Sequence, residues 1–347
     1  MVVSDWLLES LACPRDRLPV TVAAEELECA GGHRYPVVQG VPVMLLEDVA
    51  PTLPTHFIET LEHVSRGGDD QNGVPDLGVG TFKGMHPFVD QEIVATCGNM
   101  YRRLPGGLSR YPIPHLPLAD NGENASFLDV GSNWGRWALA ASASGYRSVG
   151  LDPSLKAALA GSRVARDLGH EVHFVVGDAR CLPFKEERFH TVFSYSVLQH
   201  FAKQDAYDAL RELARVNCAE GTVLVQMPNE YGLRQLLNRV RDVIKRNDNV
   251  FRVRYWSPAE LRSVFSSIVG PTSLSVDGFF SLNPRIEDAD LLARRYSAIV
   301  SLSETLKALS QPCPWLLYLA DSLWVKSKNE SLDLPSPDSF DMSERIA

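Results

Sequence analysis

Three apolar runs in the middle of the chain each carry an aspartate at or near their end: SFLDV holds Asp129, SVGLD holds Asp152 and VHFVVGD holds Asp178. An ionised carboxylate only accepts hydrogen bonds. Three of them at the carboxyl ends of neighbouring strands suit a ligand that offers an ammonium group, a pair of ribose hydroxyls and an exocyclic amine. Asp152 stands before Pro153, a setting that equally suits a turn former or a helix N-cap. After Asp129 comes GSNWG, in which Gly131 and Gly135 flank a tight turn leading into an Ala-rich stretch. Glycine lets the chain turn sharply and lets a ligand approach the backbone. Asn133, between them, is the non-glycine type that best tolerates positive φ.

A second set of residues lies near the N-terminus. Cys13 and Asp16 fall on one turn and Cys29 and His33 on another. Thiolate, imidazole and carboxylate all bind Zn²⁺, so the four can form a tetrahedral site. Asp16 is the unusual member, because a hard carboxylate is uncommon in closed structural sites. Without metal, the same segment folds around Leu7, Leu11, Val20, Val38, Val43 and Leu45.

These residues need elements to position them. Residues 1–46 alternate short strand-like pieces with turns and predict a small β-rich module, whose core is marginal alone and needs a larger domain to pack on. Residues 47–123 are rich in Pro and Gly and predict a linker and cap in which only Gln91 to Leu104 is convincingly helical. From Ala125 onward apolar runs alternate with helix-like segments through GTVLVQM, which predicts a parallel sheet with helices on both faces over 124–328. Two late strands, Thr272 to Phe280 and Trp315 to Val325, are separated by a helix around Ala289 to Leu309. Ser257, Pro258 and Glu260 signal a helix start. Residues 230–256 form a basic, lid-like insertion with Arg234, Arg239, Arg241, Lys245 and Arg246. Its charge suits an anionic acceptor or a peripheral membrane contact, or is a solvated face. Residues 329–347 lack apolar periodicity and predict a disordered tail.

The run FLDVGSNWGRW resembles the first motif of the class I methyltransferases, acidic-x-Gly-x-Gly-x-Gly, with Asn133 in place of the middle glycine. The motifs that follow fall in the order of that family, and the likeness covers roughly Ser126 to Ile268. It implies a Rossmann-like, seven-stranded, mostly parallel sheet, closed by an antiparallel addition, that binds S-adenosylmethionine. By resemblance, the loop with Gly131, Asn133 and Gly135 cradles the methionine part, with Asp129 accepting from its ammonium or from an ordered water, Asp152 holds the ribose, and Asp178 with the backbone of Ala179 the adenine. The loop Tyr195 to His200 resembles the fourth motif, with Tyr195 lining the cofactor and His200 as general base for a hydroxyl acceptor, or as a residue that caps a helix or packs under the loop. Gln199, and His86 and Tyr101 in the cap, are further candidates to line the cavity. The spacing is not the G-x-G-x-x-G of dinucleotide enzymes. The N-terminal segment, with Cys13-Pro14, the Cys29 to His33 knuckle and Tyr35-Pro36, resembles the zinc-ribbon-like activator subunit of tRNA methyltransferases, in which Cys replaces Asp16.

At 347 residues with 45% hydrophobic and 22% charged content, the chain has ordinary globular composition. A net charge of -9 disfavours a surface that grips nucleic acid throughout. Six scattered cysteines and no visible signal peptide or spanning helix suggest a cytoplasmic protein. The fourth strand ends in SYSVLQH and lacks the Asn/Asp-Pro-Pro-Tyr signature for amide or base nitrogens, which favours a small-molecule acceptor of sugar, lipid-linked or secondary-metabolite type, methylated on oxygen. The alternatives are a non-catalytic cofactor-binding regulator and a methyltransferase for RNA or protein. Nothing in the sequence sets an oligomeric state.

Overall fold

A computed structural model describes residues 3–49, 54–65, 85–101, 108–118, 122–234, 254–280 and 285–330. Helix α1 (Asp5–Ser10) starts where Ser4 Oγ accepts the Leu7 N–H. Strands β1 (Val20–Ala23), β2 (Glu26–Cys29), β3 (Arg34–Val38) and β4 (Val41–Pro42) then form an antiparallel sheet in chain order. The module does not stand alone. Leu7, Leu11, Val20 and Leu27 share one buried cluster with Leu182, Phe184 and Phe189 of the larger domain. Ala12 N–H donates to Pro183 O, and Arg188 donates from Nε to Ser10 Oγ while covering the Trp6 ring. A small sheet thus gains the apolar burial that its length denies it.

The segment after the module contains more helix than its sequence suggests. Helix α2 (Pro54–Ser65) was not expected; Phe57, Thr60, Leu61 and Val64 recur at helical spacing and turn inward, with Thr60 Oγ1 donating to Pro153 O. Helix α3 (Pro87–Cys97) buries Val89, Ile93 and Cys97, and a short 3₁₀ turn (Asn99–Tyr101) follows, so the helix expected from Gln91 starts earlier and ends sooner.

The large sheet contains seven strands: β5 (Ser126–Val130), β6 (Arg147–Asp152), β7 (Val172–Val176), β8 (Phe189–Tyr195), β9 (Asn217–Pro228), β10 (Thr272–Gly278) and β11 (Ser322–Lys328). Their spatial order is β10-β11-β9-β8-β5-β6-β7; β7 to β9 run parallel, and β11 and β10 are added antiparallel. Every residue of β5 is buried, as a strand covered on both faces requires. Helices α4 (Arg136–Ala143), α5 (Leu155–Asp167), α6 (Lys203–Val216) and α7 (Pro258–Ile268) connect and cover these strands. Ser154 and Ser257 cap α5 and α7 as their sequences predict. The chain winds one way from β5 to β7 and the other way from β8, so the ends of β5 and β8 form the switch point where such sheets open a crevice. The β7 edge is closed by the module: Val43 pairs with Val176, and Met44 N–H donates to Val176 O.

The late elements differ from expectation. Residues Pro314–Leu319 form a 3₁₀ helix, because Pro314 cannot donate to a ladder, and the strand begins at Ser322. The strand expected to reach Phe280 ends at Gly278. The helix expected around Ala289 divides at Leu292 and Ala293 into a 3₁₀ segment (Ile286–Leu291) and α8 (Arg294–Leu309). Asn229 bridges Trp256, which brings the ends of the basic insertion together; residues 235–253 of that insertion lie outside the described residues. Asn329 does not begin a loose tail: its buried amide donates to the carbonyls of Ala214, Asn217 and Cys218. The remainder of the expected tail, 331–347, lies outside the described residues. Among the described residues no helix is long and apolar enough to cross a membrane.

Candidate functional site

A cavity of about 550 Å³ opens at the carboxyl ends of β5, β6 and β8. Its floor is the turn after β5. Gly131, Asn133 and Gly135 all have positive φ (77°, 47° and 81°), so the asparagine adopts the conformation expected of it. A Cβ on Gly131 would lie 2.2 Å from Val197 of the β8 loop, and one on Gly135 would lie 2.6 Å from the Phe174 ring. Both glycines are therefore fixed by close packing as well as by φ.

Asp152 borders the cavity with its carboxylate already held in place: Oδ2 accepts from Asn133 N at 2.8 Å and Oδ1 from Ser154 N at 2.9 Å. Burial pushes its pKa up, and the two backbone donors pull against that shift. The turn-forming role left open by the sequence is thus observed, in a side chain that also borders the cavity. Asp178 also borders the cavity, with Gly177 and Ala179 beside it. Its carboxylate is gripped by Arg180, whose Nη2 donates to Oδ2 at 2.7 Å and whose Nε donates to Oδ1 at 2.9 Å.

Asp129 requires a correction. It is 1% exposed and is not among the residues lining the cavity; its Oδ2 accepts the Ala138 N–H at 3.1 Å, in the first turn of α4. Burial pushes its carboxyl up to about 8, against the pull of that hydrogen bond. In this structure it supports the turn from behind and does not border the cavity directly. The sequence places it correctly at a strand end, but whether a side chain there faces the crevice or the helix depends on the strand register and on α4.

Tyr195 and His200 both border the cavity. Tyr195 is buried, with its hydroxyl donating to Asp277 Oδ2 at 3.4 Å. His200 ends a 3₁₀ turn (Leu198–His200), and burial lowers its pKa, which favours the neutral ring. Gln199 Nε2, an amide donor, lies 3.3 Å from His200 Nε2, so that nitrogen carries the lone pair. Gln199 lines the same wall; His86 and Tyr101 do not line the cavity.

Several lining residues carried no sequence signal. His56 and Phe57 come from α2, and Glu92 and Thr96 from α3. Glu92 Oε2 accepts from Asn133 Nδ2 at 3.2 Å, and Thr96 Oγ1 accepts from Trp134 Nε1 at 3.1 Å. These bonds bind the cap to the turn across 38 and more positions of sequence, a separation over which local pattern is silent. Arg136 and Trp137, at the start of α4, also line the wall.

The N-terminal residues gather as their types predict. One ligand atom each from Cys13, Asp16, Cys29 and His33 lie within 4.8 Å of one another. His33 Nδ1 is 3.0 Å from Asp16 Oδ2, 3.4 Å from Cys29 Sγ and 3.5 Å from Cys13 Sγ. Tetrahedral zinc with bonds of about 2.0–2.3 Å puts its ligand atoms at comparable separations. Gly31 makes room for the carboxylate, since a Cβ there would be 2.2 Å from Asp16 Oδ2.

Residues 127–221 match the family described as methyltransferase domain. Structural similarity extends to a possible histamine N-methyltransferase from Thermotoga maritima (14% identity, 60% of this chain and 83% of that one, TM-score 0.41). It extends also to a putative methyltransferase from Bacillus halodurans C-125 (18%, 61% and 95%, 0.42). A third similar structure comes from the complex of the Haloferax volcanii Trm112 methyltransferase activator with a putative methyltransferase (17%, 71% and 95%, 0.44). The matched domain and the crevice it builds define an S-adenosylmethionine-dependent methyltransferase. A further 48 residues, 14% of the chain, are 33% identical to a UPF0434 protein of Vesicomyosocius okutanii subsp. Calyptogena okutanii (strain HA) and cover 81% of it. Over that stretch the chain belongs to the UPF0434 family.

Proposed function

We propose that the protein methylates a small-molecule acceptor of sugar, lipid-linked or secondary-metabolite type, on oxygen. The observation that carries the reading is the meeting of the Gly131–Gly135 turn, Asp152, Asp178 and His200 around one cavity at the sheet's switch point. Its volume of about 550 Å³ falls in the range of sites that enclose a small ligand. S-adenosylmethionine, when bound, supplies an electrophilic methyl group on its sulfonium. In this reading Asp178 and the Ala179 N–H hold the base, Asp152 accepts from the ribose hydroxyls, and the turn and Tyr195 border the methionine end. The residues of α2 and α3 cover the crevice and exclude water, which leaves alignment as the protein's main contribution. His200 takes the proton of an acceptor hydroxyl that replaces Gln199 Nε2 as the partner of its Nε2, a role supported by its place on the wall and its neutral ring.

The N-terminal module, 1–46, is a docked scaffold in this account, beside a cap over 47–123 and a catalytic domain over 124–328. The fit of Cys13, Asp16, Cys29 and His33 supports Zn²⁺ there, stabilising two turns and taking no part in methyl transfer. We place the protein in the cytoplasm on the scatter of its cysteines.

Incubation of a cell extract with methyl-labelled S-adenosylmethionine and the protein, followed by separation of small molecules, lipids, protein and RNA, tests the acceptor class. Label in the small-molecule or lipid fraction supports the reading. Label confined to RNA or protein overturns it, and binding of the cofactor with no label in any fraction favours a regulator.

A further inference from the structure

The cavity wall contains a cation that the described protein leaves uncompensated. Arg136 is 3% exposed and lines the cavity, yet no described oxygen or nitrogen acceptor meets its Nε or Nη2; Nη1 donates to Thr96 O at 3.3 Å, and the Cys97 thiol is a further polar neighbour. Among the described residues no carboxylate lies within ion-pair distance of it. The buried acids of this region are engaged elsewhere: Asp288 holds Arg110 and the Tyr101 hydroxyl, and Asp277 lies against Arg285. Asp129, whose carboxyl burial pushes up to about 8 against the pull of the Arg136 charge, makes no ion pair with it. The nearby Cys97 thiol is pushed up by burial and offers only a weak neutral acceptor. Beside Arg136, Trp137 lines the same wall with its Nε1 unpartnered, and the guanidinium is 5.6 Å from the indole centroid. Here the guanidinium and the indole N–H stand beside one carbonyl and one thiol, with no carboxylate paired to them among the described residues. A guanidinium buried without a counter-charge is destabilising unless a ligand supplies one.

We propose that Arg136, with Trp137 beside it, forms an oxyanion subsite that receives a carboxylate or phosphate group inside the cavity. The inference rests on the methyltransferase reading of that cavity. A guanidinium fork matches either group with two parallel hydrogen bonds. Two sources offer this chemistry: the amino-acid carboxylate of the cofactor, or an anionic group on the acceptor.

Calorimetric titration of full-length protein, Arg136→Lys and Arg136→Gln separates them. The probes are S-adenosylhomocysteine, methylthioadenosine (the same base, ribose and sulfur without the carboxylate), and inorganic phosphate added to the S-adenosylhomocysteine-loaded protein. A tenfold or larger loss for S-adenosylhomocysteine in Arg136→Gln, with methylthioadenosine unchanged, assigns the subsite to the cofactor. Unchanged nucleoside affinities with phosphate binding lost in the variant assign it to the acceptor. Equal weakening of both nucleosides, or no effect on any probe, overturns the proposal. If the unaltered protein binds neither nucleoside, the cofactor reading fails, and phosphate binding that depends on Arg136 then decides the subsite by itself. Should Arg136→Gln not fold, Arg136→Lys gives the same comparison, because lysine keeps the charge and loses the fork.

Discussion

Asp152 Oδ2 accepts the backbone N–H of Asn133 at 2.8 Å, so the end of β6 is tied to the turn that follows β5. One carboxylate thereby fixes the only non-glycine residue at positive φ in the turn and also borders the cavity. The same aspartate accepts from Ser154 N, at the entry to α5. The crevice is therefore preformed by backbone-to-carboxylate bonds before any ligand arrives.

Asp129 ties stability to pH. Its folded-state value near 8 lies above the unfolded value of about 3.9, so between these limits the native state holds a proton that the unfolded chain has lost. That stabilisation is full below about pH 4 and is lost as pH rises towards 8, by up to about 1.4 kcal/mol per pH unit. Asp129→Asn keeps an acceptor for the Ala138 N–H and carries no charge. Between pH 5 and 8 the melting temperature of the unaltered protein falls more steeply than that of the variant; parallel curves contradict the assignment.

The metal proposal is testable by content. The purified protein retains about one equivalent of zinc after dialysis, Cys29→Ser loses it, and Asp16→Cys holds it against a higher concentration of chelator, because thiolate is the softer ligand. Elemental analysis showing no zinc in the unaltered protein and in Asp16→Cys removes the metal from the account.

Docking of the module on the catalytic domain predicts a shared unfolding transition. Leu11 is fully buried and pairs with Phe184 across the junction. Leu11→Ala costs about 2–5 kcal/mol, and urea denaturation of the variant shows one transition moved to lower concentration. A separate early transition that leaves the main one in place would show that the module is not part of the common core.

The sheet was legible because buried parallel strands are short continuous apolar runs, and the G-x-N-x-G turn because positive φ restricts residue choice at 131, 133 and 135. Asp152 and Asp178 were legible as strand-end acids, and Cys13, Asp16, Cys29 and His33 as ligand types spaced on two turns. The orientation of Asp129 was not, since it depends on α4 packing over β5. The cavity contacts of Glu92 and Thr96 were equally hidden, because they form between a cap helix and a distant turn. Helix α2 was obscured by the Pro- and Gly-rich sequence around it, although Phe57, Leu61 and Val64 carry a helical period.

His200 must be neutral to accept a proton, and burial keeps it so at pH 7. With the acceptor fraction found by labelling, His200→Asn lowers the rate of S-adenosylhomocysteine formation by about 10²–10⁴-fold. In the unaltered protein the acid limb of the pH–rate profile lies below the ordinary histidine value of about 6.5. An unchanged rate removes His200 from the chemistry.

The central claim is that the crevice at the switch point holds the sulfonium nucleoside through Asp152. Calorimetric titration of the protein and of Asp152→Ala with S-adenosylhomocysteine tests it most directly. The account predicts saturable one-to-one binding that the substitution weakens by about 1–3 kcal/mol, through ribose hydroxyls and an Asn133 N–H left without an acceptor. No binding by the unaltered protein, or the same dissociation constant in both, contradicts it.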